Sequence, residues 1–170
     1  MGISFSAMRK LLEQENICDA LKGRVRYFAT RYRKSHDEMG RVAILVDEVE
    51  VMKSSWFAWS QKTHDIYHAT RSAHNKGLTF EEYWNKVDIE AHTQGGFDQF
   101  CFYNAFHKYH NQSIDDSLSD DDPIIRLFAV LDKRIGKRRL PVIREAIENQ
   151  PDWLKPFYQL RLSAEKEKIT

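Results

Sequence analysis

The first part of the chain begins with a helical hydrophobic pattern. Apolar residues at roughly helical spacing predict a helix that is capped by Ser4 or Ser6 and closed at Gly23. The apolar positions of this helix are Leu11, Leu12, Ile17 and Leu21.

Three segments that follow have the pattern of β-strands. Residues 24–33 are rich in β-branched and aromatic side chains and alternate imperfectly, residues 42–46 are continuously apolar, and residues 49–53 alternate again. Asp47 and Glu48 separate the second segment from the third, which predicts a tight turn between them. We therefore expect a three-stranded antiparallel meander.

Everything after Ser55 has a helical pattern. Helices are predicted over residues 56–73 and 97–109, and between them Thr79 opens another helix, because a glutamate three residues later completes a capping box. The acidic stretch 111–122 is predicted to be a loop. A sheet followed by segregated helices belongs to the α+β class.

The C-terminal third repeats itself weakly. Asp122, followed by a proline, predicts a helix start, with helices over 124–135 and 137–148 and a third that opens at Pro151. A shift of 29 residues places Ile125 on Leu154, Arg126 on Lys155, Phe128 on Phe157 and Leu131 on Leu160. Residues 122–164 resemble HEAT-type repeats, but a solenoid needs about three repeats, so we expect a small HEAT-like helical hairpin.

Length and charge bound the class of protein. The chain has 170 residues, 26 Lys and Arg against 25 Asp and Glu, and a net charge of +1. This balance excludes a nucleic-acid-binding protein that is basic over its whole surface. We predict one α+β domain made of a helix plus meander (1–55), a helical middle (56–121) and HEAT-like helices (122–170).

Cysteine usage and hydropathy favour a reduced compartment. Cys18 and Cys101 are too few for a disulfide framework. We find no apolar run of about 18–20 residues that would span a membrane and no signal-peptide pattern. We expect a cytoplasmic protein that does not act at a membrane.

Metal and catalytic motifs give little support for an enzyme. His64 and His68 lie one turn apart, a spacing at which two imidazoles can share a metal ion. We favour the alternative, in which these histidines are ordinary polar residues on half-exposed helices. We predict no cofactor. Nucleophile elbows and glycine-rich phosphate loops are absent from the sequence.

Two clusters of basic residues are the stronger signal. The first lies on the predicted first strand and at its ends and comprises Lys22, Arg24, Arg26, Arg31, Arg33 and Lys34. The second comprises Lys133, Arg134, Lys137, Arg138 and Arg139. Cations interleaved with aromatics can bind single-stranded nucleic acid. The structural alternative for the first cluster is a solvated sheet face. For its cations Arg31, Arg33 and Lys34, the alternative is a ladder of salt bridges to Asp37, Glu38, Asp47 and Glu48.

Several segments resemble a family of small, uncharacterised bacterial proteins. They are Lys22-Gly23-Arg24-Val25, Thr30-Arg31-Tyr32-Arg33-Lys34-Ser35-His36-Asp37, Gly40-Arg41, the stretch 131–140, and Tyr158 with Leu160-Arg161. The resemblance covers both ends of the chain and implies no activity. The turn Asp47-Glu48 departs from the Asp-Gly expected there.

We expect a non-catalytic, macromolecule-binding module with a protein partner, of which an immunity or antitoxin protein is one concrete form. The residues expected to bind the partner are Arg31, Arg33, His36, Asp37 and Arg41. The alternative is an enzyme or binder of a phosphate-bearing ligand or nucleic acid. In that case the arginines clamp the phosphate, and His36, oriented by Asp37, is the acid or base. The sequence leaves the oligomeric state open.

Overall fold

The computed structural model describes residues 2–31, 39–71 and 77–167 and confirms the α+β class. A short N-terminal helix precedes a three-stranded sheet, and the remainder is mostly helical. The elements are α1 (Phe5–Lys10), β1 (Val25–Arg31), β2 (Gly40–Val46), β3 (Val49–Ser55), α2 (Trp56–Thr70), α3 (Phe80–Thr93), α4 (Gln99–His110), α5 (Ile114–Leu118), α6 (Pro123–Val130), α7 (Leu140–Ala146) and α8 (Lys155–Glu167).

The sheet is the predicted antiparallel meander in the order β1-β2-β3. Val25 lies opposite Val46 in the first pair of strands, and Val46 lies opposite Val49 in the second. The connecting residues Asp47 and Glu48 have φ angles of 49° and 67°. Two positive φ angles define a type I′ turn, which suits the twist of a hairpin. The turn therefore has the expected geometry although it lacks a glycine.

Gly40 starts β2 because the chain is crowded there. A Cβ atom at this position would lie 2.0 Å from the carbonyl oxygen of Thr30 and 2.4 Å from Oε1 of Gln99. Real Cβ atoms essentially never come this close to another heavy atom, so only glycine lets β2 approach both β1 and the start of α4. The glycine of the Gly40-Arg41 segment is thus a packing requirement.

The N-terminal helix is shorter than predicted. Ser4 caps it as expected, accepting a hydrogen bond from Ala7 N at 3.2 Å, but α1 passes into one π-helical turn over residues 11–15. Beyond that turn, Cys18 N donates to the carbonyl of Leu131 at 2.9 Å. The chain leaves the helix because its backbone groups find partners in the segment after α6.

Aromatic side chains join the sheet to the helices. Tyr27, on the inner side of β1, makes edge-to-face contacts with Phe102 of α4 and Phe128 of α6, with ring centroids 6.1 and 5.8 Å apart. All three rings are fully buried. Such aromatic pairs add to the stabilisation from buried area, and they fix α4 and α6 against one face of the sheet.

Two helix starts agree with the predicted caps. Thr79 and Glu82 form the capping box of α3, with Thr79 N donating to Glu82 Oε2 at 2.7 Å and Glu82 N donating to Thr79 Oγ1 at 3.2 Å. Asp122 caps α6 through Ile124 N at 2.9 Å. Both caps satisfy backbone N–H groups that otherwise lack a partner at a helix start.

Other helix predictions need correction. The acidic stretch 111–122, predicted to be a loop, contains α5, whose N-terminus is capped by the Ser113 hydroxyl. The helix predicted over 124–135 ends at Val130, because the residues after it bind the N-terminal segment. Leu131 is buried and Leu160 is half-buried.

Among the described residues, every helix is too short or too polar to cross a membrane.

Candidate functional site

The sequence-predicted binding residues lie on and after the first strand of the sheet. Arg33, His36 and Asp37 are outside the described residues. Arg31 is the last residue of β1 and lies opposite Gly40 of β2. Arg41, the next residue of β2, lies opposite Thr30 of β1. The structure therefore places Arg31 and Arg41 at adjacent register positions and describes the side chain of Arg41.

Arg41 is held in place by two neighbours. Its guanidinium forms an ion pair with Glu50 of β3, and it lies 5.5 Å from the ring centroid of Phe28 on β1. A guanidinium over an aromatic face is attracted by the ring quadrupole. Arg41 therefore presents a stacked, partly neutralised cation, and a phosphate ligand would have to compete with Glu50 for it.

Two arginines of the first basic cluster form salt bridges to Asp47 and Glu48, the carboxylates expected to pair with Arg31, Arg33 and Lys34. Arg24 donates two hydrogen bonds to Asp47, both at 2.9 Å, and Arg26 pairs with Glu48 at 3.0 Å. The bond from Arg24 lowers the pKa of Asp47, and the bond to Glu48 raises the pKa of Arg26. These arginines are structural partners of the β2–β3 turn.

Exposed apolar side chains accompany the arginines on the sheet. Phe28 is 42 % exposed, although it lies in the middle of β1, and Val51 of β3 is 41 % exposed. We call this surface the outer sheet face and define it by Arg26, Phe28, Arg41, Val51 and Lys53. Tyr27 faces the core from the opposite side of the same strand. The outer sheet face is open, apolar at its centre and bordered by charges.

A second candidate site, missed in the sequence, is an acidic cavity of about 310 Å³. Its lining residues come from α2, α3 and α4 and from the N-terminal caps of α4 and α6. The side chains that matter for its chemistry are Trp56, Trp59, Asp88, His92, Asp98 and Asp122. We call this site the acidic cavity.

Each carboxylate of the acidic cavity is held through one oxygen. Asp98 caps α4, and its Oδ1 accepts from the backbone N atoms of Phe100 at 2.9 Å and Cys101 at 3.1 Å. Oδ1 of Asp88 accepts from the Trp59 indole at 3.1 Å. In the described part of the chain, the recorded hydrogen bonds to these two carboxylates leave Oδ2 without a donor.

Asp122 is held in the same way and also orients a histidine. Its Oδ1 accepts from Ile124 N at 2.9 Å and faces Nδ1 of His92 at 3.1 Å. Because an ionised carboxylate only accepts hydrogen bonds, Nδ1 of His92 is the donor. Within the described residues, the other ring nitrogen, Nε2, is buried without a partner.

Burial dominates the electrostatics of the acidic cavity. It raises the pKa of Asp88, and the charges of Asp122 and Asp98 raise it further, against the bond from Trp59. Burial also raises the pKa of the Cys101 thiol, which lines the cavity. The lining residues include neither lysine nor arginine, so neither of these permanently charged side chains offsets the negative charge of the carboxylates.

The sequence holds separate signals for this cavity. Asp98 and Asp122 each precede a helix, where aspartate is a common cap, and Asp88 and His92 lie four residues apart on α3. Each signal has an ordinary local explanation. Only the packing of α2, α3, α4 and α6 brings the four side chains to one cavity.

The histidine pair lies side by side on α2 as its spacing predicts. The ring centroids of His64 and His68 are 4.3 Å apart, and His64 Nδ1 lies 3.5 Å from Asp65. Among the described residues, no three His, Cys, Asp or Glu side chains form a group that could hold a metal ion. His74, one of the other histidines, lies outside the described residues.

A family model decides which proteins this chain is related to. The model of the SF0329 protein family matches residues 4–162. This chain belongs to the SF0329 protein family. No curated protein and no solved structure matches it.

In this SF0329 family member, the C-terminal segments that resemble the small bacterial proteins contribute to a polar network around a buried aspartate. Asp132, 1 % exposed, accepts from the Tyr109 hydroxyl. Arg134 donates to Asp132 from Nε at 3.0 Å, from Nη2 at 2.7 Å and from its backbone N at 2.7 Å. Burial, followed by the charge of Asp132, raises the pKa of Tyr109.

Arg161 of α8 also makes buried structural hydrogen bonds. It is 1 % exposed, and its Nη2 donates to the carbonyl of Ile135 at 2.9 Å, while Nη1 pairs with Glu165. The backbone next to Asp132 binds the N-terminal segment, where Lys133 N donates to Asn16 O at 2.7 Å. In this SF0329 family member, these segments connect the two ends of the chain, which explains them without a ligand.

The second basic cluster is also partly neutralised. Arg139 donates two hydrogen bonds of 2.7 Å to Asp115 of α5, and Arg134 binds Asp132. Lys133, Lys137 and Arg138 have no ion pair within the described residues. The cluster therefore offers fewer unpaired cations to nucleic acid than its sequence indicates.

Proposed function

We propose that this protein is a non-catalytic binding module that docks a protein partner through the outer sheet face. The observation that carries the proposal is the exposed Phe28, which lies in the middle of β1 with the guanidinium of Arg41 over its ring, on a sheet whose third strand carries the exposed Val51. Aromatic side chains and arginine are enriched in protein interfaces. An immunity or antitoxin protein is one concrete form of such a module.

The charges of the outer sheet face favour a protein partner over nucleic acid. Arg24, Arg26 and Arg41 each have a carboxylate partner within the sheet or its turn. Binding to phosphates depends on cations that release counterions from the nucleic acid, and paired arginines contribute less to it. A mixed, largely neutral surface with an apolar centre suits a folded protein.

Three finer statements belong to the same proposal. We propose that the protein is cytoplasmic, supported by a sequence that contains only two cysteines, Cys18 and Cys101. We interpret residues 122–164 as a HEAT-like hairpin, supported by the burial of Leu131 and the half-burial of Leu160. We take the resemblance segments to be part of the family's signature.

Affinity purification from the native host tests the proposed interface. Tagged wild type is compared with Phe28→Ser and with a control, Phe57→Ser, which alters an aromatic residue on α2 that is 64 % exposed. We expect Phe28→Ser to reduce recovery of the co-purifying protein by ~10-fold or more, as for a central interface aromatic, with an unchanged melting temperature. Equal recovery with Phe28→Ser and Phe57→Ser contradicts the proposal.

The same experiment tests the predicted arginine segment. The double variant Arg31→Ala with Arg33→Ala should weaken capture of the partner if this segment is part of the interface. Normal capture removes both arginines from the site. A variant that captures the protein normally but loses binding to a fluorescent single-stranded oligonucleotide or to phosphate supports the alternative, a phosphate-directed site.

A further inference from the structure

Three carboxylates set the charge of the acidic cavity, and its other polar lining groups are uncharged amides and indoles together with His92. Oδ2 of Asp88, Asp98 and Asp122 accepts no hydrogen bond in the described part of the chain. Nε2 of His92 also has no partner among the described residues, but this atom is buried. The carboxylate oxygens of three residues thus lack donors.

Buried polar groups are normally hydrogen-bonded, and leaving them unpaired is unfavourable. His92 is 6 % exposed and Asp98 is 3 % exposed. The lining residues include neither lysine nor arginine, and the amide and indole donors that do line the cavity carry no positive charge. The cavity therefore selects a ligand that brings both N–H donors and a positive charge.

The form of the cavity favours an organic cation over a metal ion. Among the described residues, no three of its carboxylate and imidazole groups lie close enough together to hold a single metal ion. Its volume of about 310 Å³ is at the lower end of the range for small-molecule sites. Trp56 and Trp59 line it as well, and tryptophan is the aromatic residue that attracts organic cations most strongly.

We propose that the acidic cavity binds a small organic cation through an ammonium or guanidinium group. The cation donates hydrogen bonds to the carboxylates of Asp88, Asp98 and Asp122 and packs against the tryptophan rings. Burial raises the pKa of Asp88, and a bound positive charge offsets this effect by favouring the ionised carboxylate. The proposal does not depend on the outer sheet face.

Calorimetric titration with defined probes tests this site. N-ethylguanidinium and n-butylammonium chloride are titrated into wild type, and N-ethylurea serves as an uncharged probe of similar shape. Saturable binding of at least one cation, with no binding of the urea, supports the proposal. A wild-type protein that binds neither cation, or that binds the urea equally well, overturns it.

A matched pair of variants assigns the binding to the cavity. Asp88→Asn keeps the oxygen that accepts from Trp59 but removes the charge, and we expect ~10-fold weaker binding or more. The control, Asp65→Asn, removes a carboxylate that is 64 % exposed on α2 and should leave binding unchanged. Equal losses in the two variants would attribute binding to general surface charge and overturn the site.

A further probe identifies the source of the cation. N-acetyl-lysine amide presents an ammonium group as a protein partner would, whereas n-butylammonium represents a free amine. Tighter binding of the capped lysine indicates a side chain of a partner, and tighter binding of butylammonium indicates a free small molecule. Both results support the cation chemistry, and melting curves of each variant establish that the protein tested is folded.

Discussion

Replacing Asp132 with asparagine tests whether the buried network holds the two ends of the chain together. Oδ2 of Asp132 accepts from the Tyr109 hydroxyl and from two side-chain nitrogens of Arg134, and Oδ1 accepts from Arg134 N. An asparagine amide presents NH₂ at one of these two positions. Either orientation therefore brings donors against donors and removes the negative charge that pairs with Arg134.

The expected effect follows from burial. Hydrogen bonds to charged groups contribute about 1.5–3 kcal/mol each, and the charge that the substitution leaves unpaired belongs to Arg134, whose side chain is 43 % exposed and can be hydrated. We therefore expect Asp132→Asn to lower the free energy of unfolding by about 1.5–3 kcal/mol, against the 5–15 kcal/mol typical of a whole domain. For a chain of this length, this is a fall in melting temperature of roughly 3–12 °C.

Urea denaturation followed by circular dichroism measures this effect. Asp115→Asn is the matched control, because Arg139 donates two side-chain bonds to Asp115, in an exposed pair where the effect should be far smaller. Tyr109→Phe and the double variant complete a cycle whose coupling energy should be about 0.5–3 kcal/mol. A destabilisation by Asp132→Asn no greater than that by Asp115→Asn would refute the structural role of the network.

Two other predictions concern stability. Glu48→Gly should raise the urea midpoint, because a non-glycine residue with a φ of 67° is less favourable than glycine by about 1 kcal/mol. Glu48→Ala loses the same ion pair with Arg26 but keeps the unfavourable backbone conformation, so it should lower the midpoint. Asp88→Asn should raise the melting temperature at pH 7 but not at pH 3, since a raised folded-state pKa makes the carboxylate destabilising as pH rises above its unfolded value. Equal shifts for Asp88→Asn at both pH values, or a lower midpoint for Glu48→Gly, would contradict these arguments.

Local chemistry in the sequence is sufficient for the parts of the fold with short-range causes. The capping box of Thr79 and the proline after Asp122 predict helix starts, because both signals act within one turn. The alternation around Val25 and Tyr27 and the apolar run 42–46 predict the strands, because a strand with one buried face repeats every two residues. These predictions need no knowledge of distant contacts.

Where elements end depends on tertiary contacts. The N-terminal helix stops early and α6 ends at Val130, because the chain near Ile17 pairs with Asp132. The two segments are more than 100 residues apart in the sequence, and no local pattern announces that they meet. Helical periodicity continues through both segments, so the sequence predicts longer helices than the structure contains.

The candidate sites show the same division. Residue types and spacing identify Arg41 as a cation on a strand. Its ion pair with Glu50 is visible only in the tertiary structure, because the register places Arg41 opposite Ser55. Asp98 and Asp122 read locally as helix caps, and they are caps. That they also share a cavity with Asp88 and His92 was decided by the packing of four helices, because cavity electrostatics depend on distances between elements that the sequence does not encode locally.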